Sequence, residues 1–320
     1  SDGRVLMLAI NDLSSFSELK KHESDVNCID VSADGRWIAS GDKSGNVIVW
    51  DASTLKPLKT IKAHTDAVCD VRFSPDAGFL VSASNDKTAA VWKTSTFSLQ
   101  SRYQGHDWIV EASAISADNK YVYTVSWDRT IHKWDLYTAE LISKTLAHSN
   151  YVIDVKLSRD GRYLTTASWD GSVKLWSSSD LKLLCTFLAI DDNDWIVVSA
   201  DNYYMGSKDA AKLVSFSTGL NAYGFEQFDL QYNRPDKVLE SLPGADTSLI
   251  PLYRKAYQKR LQKSGIDESY FSPEFRSPEI TITNRSELQL LTQQTTSGIR
   301  IGTRGDVMSL HAWVNGVPCF

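Results

Sequence analysis

Cysteine is scarce: Cys28, Cys69, Cys185 and Cys319 stand far apart in 320 residues, with no C-x-x-C pair and no disulfide-framework spacing. That argues against a cystine-stapled secreted scaffold and predicts a reducing, cytoplasmic setting in which the thiols pack as small apolar groups. No apolar run approaches the roughly 18 residues of a membrane helix, and the N-terminus lacks the basic-then-apolar layout of a secretory signal. Excess charge is missing as well. A net charge of -5 gives no electrostatic reason to expect nucleic acid or an anionic membrane as a partner. The chain also lacks metal-ligand spacing, a phosphate-binding Gly loop and an isolated nucleophile–base pair, so no catalytic residue, metal or cofactor is expected.

What the sequence does have is tryptophan, 10 in all, and four of them keep time. Trp50, Trp92, Trp134 and Trp176 step by 42 residues, as do His22, His64, His106 and His148, and again Asp34, Asp76, Asp118 and Asp160. The aspartates sit in turn-forming segments such as Ala33-Asp34-Gly35-Arg36, so the turns repeat in register. Between the markers, short β-branched stretches alternate apolar and polar residues, which predicts strands. The second copy holds four, at about Val68 to Phe73, Phe79 to Ser84, Thr88 to Trp92 and Leu99 to Tyr103. Four antiparallel strands per period make one blade of a β-propeller, and the fold class is all-β.

Over about residues 16 to 217 the sequence resembles the WD-repeat family, whose blades open with His, place Asp in a hairpin and end a strand on Trp. Trp50-Asp51 and Trp134-Asp135 are the literal dipeptide, while Trp92-Lys93 and Trp176-Ser177 keep its first letter. The resemblance implies a hydrogen-bonded set in each copy. These are His64, Ser82 or Ser84, Asp86 and Trp92; His106, Thr124 or Ser126, Asp128 and Trp134; and His148, Thr166 or Ser168, Asp170 and Trp176. Ser, His and Asp together suggest catalysis, but a nucleophile triad has no reason to recur at equal spacing, and the sets read as structural. In the first copy the Asp position is Ser44, which predicts that His22 lacks its carboxylate and that this blade is looser; Asp42 substitutes only with a shifted turn.

The ends of the repeat decay. Trp195 to Ser199, Tyr204 to Ser207 and Lys212 to Ser217 read as a degenerate fifth blade, with Ile190 in place of His and Phe216 near the Trp position. Before His22 only a short blade is expected, its last strand from Phe16 to Lys20. The propeller is assigned to residues 1–223, a short helical linker to 224–275 and the start of an immunoglobulin-like β-sandwich to 276–320. In the linker, Arg234-Pro235-Asp236-Lys237-Val238-Leu239 reads as a helix with Pro in its first turn. A longer helix carries Leu249, Leu252, Tyr253, Ala256, Tyr257 and Leu261 on one face and a solvated basic face of Arg254, Lys255, Lys259, Arg260 and Lys263, ending at Gly265. Pro278 to Thr283, Gly298 to Thr303 and Met308 to Val314 read as strands, and Asn315-Gly316 as a type I′ turn.

Asp194-Trp195-Ile196-Val197-Val198, Tyr203-Tyr204-Met205-Gly206-Ser207, Tyr232-Asn233-Arg234-Pro235-Asp236 and Val314-Asn315-Gly316-Val317 are similar to the join between propeller and peptidase in bacterial WD-repeat caspase-like proteins. This resemblance, and a chain that begins and ends within apparent repeats and hairpins, predicts a piece of a larger multidomain protein. The WD-repeat pattern implies that a wide face is lined by Lys43, Asn85, Trp127 and Trp169, by Asp25, Ala67, Ile109 and Tyr151, and by Asn27, Cys69, Glu111 and Ile153. With Trp108, the third and fourth blades are expected to present an aromatic cluster. Trp108, Ile109, Glu111, Trp127, Tyr151, Trp169 and Asn85 are therefore the candidate partner-binding residues. The expected function is a non-catalytic module that binds or senses a protein or peptide, regulating a downstream peptidase. The alternatives are a free-standing scaffold, or part of an enzyme whose catalytic domain lies elsewhere. The sequence leaves the oligomeric state open.

Overall fold

Three left-handed residues recur in each repeat and set its strand lengths. One series is Gly35, Ala77, Asn119 and Gly161, with φ of 69°, 58°, 55° and 71°. A second is Gly45, Lys87, Arg129 and Gly171, with φ of 85°, 69°, 72° and 82°. At Gly45 a Cβ would also strike the carbonyl of His64. The third series, Leu55, Phe97, Ala139 and Leu181, has φ between 51° and 59° and no glycine at all. Left-handed backbone costs a residue with a Cβ roughly 1–2 kcal/mol. Here the side chains offset it by packing between sheets, Phe97 edge-on to Trp37 and Leu181 4% exposed in its cluster.

The computed structural model describes residues 3–9, 12–208, 210, 215–218, 221–224, 228–271, 279–282, 301–304, 313–314 and 317–318. A two-stranded sheet comes first, β1 (Arg4–Ala9) and β2 (Asp12–Lys20). Three four-stranded antiparallel sheets follow. They are β3 (Val26–Val31), β4 (Trp37–Asp42), β5 (Asn46–Asp51) and β6 (Pro57–Lys62); β7 (Val68–Phe73), β8 (Phe79–Ser84), β9 (Thr88–Lys93) and β10 (Ser98–Gln104); and β11 (Val110–Ile115), β12 (Tyr121–Ser126), β13 (Thr130–Asp135) and β14 (Leu141–Leu146). The next sheet has six strands, β15 (Val152–Leu157), β16 (Tyr163–Ser168), β17 (Ser172–Ser177), β18 (Leu183–Ala189), β19 (Trp195–Ser199) and β20 (Tyr204–Gly206). The sheets adjoin through their first strands, β3 to β7, β7 to β11 and β11 to β15.

The core lies between blades rather than inside one. Val47, Val49 and Ala39 of the first blade meet Val68, Val71, Leu80 and Trp92 of the second. Val81, Ala83 and Val91 of the second meet Val110, Val122 and Trp134 of the third, and Tyr123, Val125 and Ile131 of the third meet Val152, Val155 and Trp176 of the fourth. Burying each such aliphatic side chain contributes about 1.5–3 kcal/mol. Polar staples cross the same gaps, Asp30 accepting from the Phe73 N–H at 2.7 Å and Asp70 from the Ser113 N–H at 3.1 Å.

The strands expected of a decayed fifth blade form at Trp195–Ser199 and Tyr204–Gly206, but they extend the fourth sheet instead of starting another. The cause is local. Asp191 Oδ1 accepts the N–H groups of Asn193 and Asp194, and this tight turn folds β19 back on β18, pairing Cys185 with Ser199 through Ala189 with Trp195. The next pair is β21 (Ser215–Thr218) and β22 (Asn221–Gly224).

Three helices follow, α1 (Asp229–Tyr232), α2 (Pro235–Ser241) and α3 (Leu249–Ser264). Pro235 opens α2, and Val238 of α2 packs on Cys185 and Val197 of the extended sheet. Arg234 pairs bidentately with the fully buried Asp236, both at 2.9 Å, and lies 3.8 Å from the Tyr257 ring centroid. This corrects the expected faces of α3. Leu249, Leu252, Tyr253 and Ala256 are exposed and only Tyr257 is buried, while on the expected basic face, which stays exposed at Arg254, Lys255, Lys259 and Lys263, Arg254 pairs with Glu240 and the half-buried Arg260 with Asp229. Ion pairs, not the apolar stripe, orient this helix. No described helix is long and apolar enough to cross a membrane.

Ser1–Arg260 form one compact unit and Leu261–Phe320 another. In the second unit β23 (Glu279–Ile282) pairs with β24 (Ile301–Arg304), and β25 (Trp313–Val314) with β26 (Val317–Pro318). Val314 faces Val317 across the expected Asn315-Gly316 turn, which itself lies outside the described residues, as does Cys319.

Candidate functional site

The histidine, hydroxyl, aspartate and tryptophan of each repeat meet at one end of a blade. In the second, His64 Nδ1 lies 3.0 Å from Asp86 Oδ2, His64 Nε2 2.8 Å from Ser82 Oγ, and Trp92 Nε1 donates to the same Oγ at 3.1 Å. His106, Asp128, Thr124 and Trp134 repeat this at 2.8 Å for all three contacts, and His148, Asp170, Thr166 and Trp176 at 3.0, 2.8 and 2.9 Å. The carboxylate accepts a hydrogen bond from Nδ1–H, so Nε2 accepts from the hydroxyl, which accepts in turn from the indole. The structure thereby selects Ser82, Thr124 and Thr166 over Ser84, Ser126 and Ser168. The last three sit at strand ends, their Oγ atoms accepting the N–H of Asp86, Asp128 and Asp170.

The first blade departs from what its sequence predicts. Asp42 replaces Ser44 as the partner of His22, at 2.7 Å, with Ser40 2.6 Å from the other ring nitrogen and Trp50 donating to Ser40 at 2.8 Å. The turn is not shifted, since the Gly45 N–H reaches the Asp42 carbonyl as Lys87 reaches that of Ser84. Asp42 occupies the strand-end serine position and serves two purposes, Oδ2 bonding the imidazole and Oδ1 accepting from the Ser44 and Asn46 N–H groups. It is 1% exposed, so this set is as enclosed as the others.

These arrays carry the geometry of a hydrolytic triad without its access. Ser40, Ser82, Thr124 and Thr166 are at most 1% exposed, and each oxygen already holds an imidazole and an indole. Desolvation raises the carboxylate pKa values while hydrogen bonds to His and Thr or Ser outweigh it, holding Asp86, Asp128 and Asp170 far below the usual range. One metal-like cluster exists among the described residues, His106, Asp128 and His132. It does not fit a metal. The two imidazoles stack 3.7 Å apart at 10°, so their in-plane lone pairs run parallel and cannot converge at the roughly 2.0–2.1 Å of a metal–nitrogen bond. Both nitrogens of His106 are also engaged already.

The other candidate residues gather around the hairpins. In all four blades the pairing of the first two strands skips one residue, Asn27, Cys69, Glu111 or Ile153, a bulge that re-aims the side chain. The residue before each hairpin Asp is held by a backbone bond, Asn85 to Ala67, Trp127 to Ile109 and Trp169 to Tyr151. Trp127 and Tyr151 stack at 4.7 Å and 10°, and Trp169 leans on both at 5.8 and 5.5 Å. Trp169 is 60% exposed. Trp108 is exposed too, but among the described residues it has no ring contact, so the expected cluster has three rings, not four. Asn85 lies apart from the rings, its Oδ1 2.9 Å from Cys69 Sγ. Glu111 is half-buried. Desolvation and the nearby Asp70 push its carboxyl above the ordinary range, opposed by the adjacent Trp127 indole. That indole N–H is buried without a partner in hydrogen-bond geometry.

Four stretches match the family model described as "WD domain, G-beta repeat": residues 13–51, 55–93, 97–135 and 140–177. Each begins on the outer strand of one sheet and runs through the first three strands of the next, so sequence repeat and blade are offset by one strand. No curated protein matches the chain. A solved structure titled "Structure of U3-55K" is similar, with a TM-score of 0.50 and 19% identity over 64% of this chain and 70% of that one, a likeness of fold. WD-repeat domains are generally non-catalytic scaffolds for protein interaction, and it is through residues 13–177 that this chain belongs to the WD-repeat family.

Proposed function

We propose that the aromatic rim of the third and fourth blades is where this module captures a protein or peptide. The observation that carries the reading is the three-ring platform of Trp127, Tyr151 and Trp169, rigidly held by two backbone hairpin bonds yet exposed on Trp169. Rigid aromatic anchors are the side chains most enriched among binding hot spots. Ile109 adjoins the platform, its carbonyl accepting the Trp127 N–H at 3.1 Å. The test is to compare native-host proteins retained by the chain and by a Trp127→Ala, Trp169→Ala double variant of matched stability. Specific partners drop out with the variant, and an unchanged set sinks the proposal.

A second reading concerns context. The likeness of residues 194–236 to propeller–peptidase joins supports a cytoplasmic bacterial multidomain protein in which this module governs a caspase-like peptidase. In support, the bridge from Tyr204 to Asn233 and the packing of Val238 on Cys185 and Val197 bind the segment after the repeats to the extended fourth sheet. The coding sequence beyond Phe320 tests it, and an unrelated domain or a stop codon there favours the free-standing scaffold.

A further inference from the structure

The first strands of the blades carry an unbalanced set of charges next to the rim. Asp30, Asp70, Glu111 and Asp154 provide four carboxylates on β3, β7, β11 and β15, against two cations, Arg72 and Lys156. Both cations are taken. Arg72 lies 3.1 Å from Asp70 and 4.0 Å from Asp30, and Lys156 lies 2.7 Å from Asp154. Among the described residues Glu111 has no cation within salt-bridge distance, although it is half-buried at a bulge, where desolvating an unpaired charge is costly. The Arg129 side chain, exposed on the neighbouring hairpin, does not reach it.

Beside this carboxylate lies the platform. Trp127, which adjoins Glu111, is filled on one face by Tyr151, and Trp169 offers its ring to solvent. Stacked rings leave no slot for an apolar side chain between them, but an open aromatic face on Trp169, with a carboxylate beside the adjoining Trp127, suits a guanidinium or an ammonium.

We propose that the rim selects a cationic side chain of an incoming basic peptide, which lies against the Trp127–Tyr151–Trp169 platform and takes Glu111 as its counter-ion. The proposal rests on the rim's being the capture surface, and it adds what chemistry is captured. Burial raises the carboxyl of Glu111, and an arriving cation reverses that shift.

The experiment uses the full 320-residue chain and fluorescent degenerate peptide mixtures, uncharged except for one central residue: Arg, Lys, citrulline or Glu. Anisotropy titration reads the affinity. The Arg or Lys mixture binds about tenfold more tightly than the citrulline mixture, and the Glu mixture most weakly. Glu111→Gln collapses the Arg-to-citrulline ratio toward one while citrulline binding persists, which a merely structural role for Glu111 would not produce. The double Trp127→Ala, Trp169→Ala variant loses all the mixtures. If wild type favours citrulline or Glu, binds no Arg or Lys mixture, or keeps its full Arg preference in Glu111→Gln, the cation assignment is overturned and the capture surface is untouched. If the double Ala variant binds every mixture as wild type does, the capture surface itself falls. Matched thermal unfolding of the variants separates both results from misfolding.

Discussion

Asp42 shows how one blade reaches the same hydrogen-bonded end by a different residue. Its neighbours at the strand end are Ser84, Ser126 and Ser168, with the carboxylate two positions later, whereas here the carboxylate has moved back and Ser44 stands in the hairpin. Asp42→Ser should leave a buried His22 Nδ1 and the Asn46 N–H without an acceptor, the new hydroxyl taking the Ser44 N–H as Ser84 takes that of Asp86, at a cost of about 1–3 kcal/mol. Adding Ser44→Asp rebuilds the arrangement of the other blades and should recover most of that loss in urea titrations. If the double variant is no more stable than the single, the two solutions are not equivalent. His132 gives a second residue-scale test. It is fully buried against His106, both its nitrogens lack partners among the described residues, and burial lowers its pKa to about 3. The native state therefore keeps it neutral while the unfolded chain takes up a proton near pH 6.5. Stability is lost as pH falls from about 6.5 toward about 3, by up to a few kcal/mol. Asp86, Asp128 and Asp170 have folded pKa values below the unfolded one, so their contribution fades only below about pH 4. His132→Ile, placing there the side chain that Ile48 supplies in the first blade, should flatten the stability profile between pH 7 and about 5, leaving the smaller effect of His148, also lowered by burial. An unaltered profile in the variant rules His132 out as the source.

At the scale of the element, what the sequence revealed depended on repetition. Trp50, Trp92, Trp134 and Trp176 mark the third strand of each blade because the same packing and hydrogen-bond need arises four times, and a fourfold pattern survives local noise. The Asp34 to Asp160 series worked for the same reason, each aspartate accepting from a serine two residues earlier at 2.6–2.7 Å. The left-handed turns at Leu55, Phe97, Ala139 and Leu181 left no trace, since packing rather than glycine stabilises them. The family pattern alone places Glu111 on the rim; the bulge that puts it there is a matter of strand register, which alternation of residue types does not encode. Single-copy elements fared worse. The stripe from Leu249 to Ala256 has the spacing of a buried face, yet three fixed points, Tyr257 under Arg234, Arg260 on Asp229 and Arg254 on Glu240, turn it outward. The helical period alone does not reveal which partners wait opposite. The run from Trp195 looked like a blade because its strand residues are right, and only the turn at Asp191 decides that it continues the fourth sheet.

At the scale of the molecule, the blade-to-blade core makes the outermost surfaces of the row informative. Val47, Ala89 and Ile131 occupy one position in successive blades and are at most 1% exposed because the next blade covers them, whereas Val173, the same position in the fourth, is 42% exposed. Val71, which packs back on the first blade, is fully buried, but its counterpart Ile29 is 46% exposed. The β1–β2 sheet reaches Ile38, Ile48 and Trp50 of the first blade and leaves Ile29 and Val31 uncovered. Two apolar faces with neighbouring strands are what a repeat array hides with its next unit, and left open they drive association. The chain should therefore gain mass with concentration in sedimentation velocity. Placing like charges on the two faces, Ile29→Lys with Val173→Lys, should return it to a monomer. Because both positions are exposed, the pair should change unfolding free energy by less than about 1 kcal/mol. A wild-type chain that stays monomeric throughout the concentration series would show that those faces are too small or too curved to associate, and the open row of blades would then be stable on its interblade clusters alone.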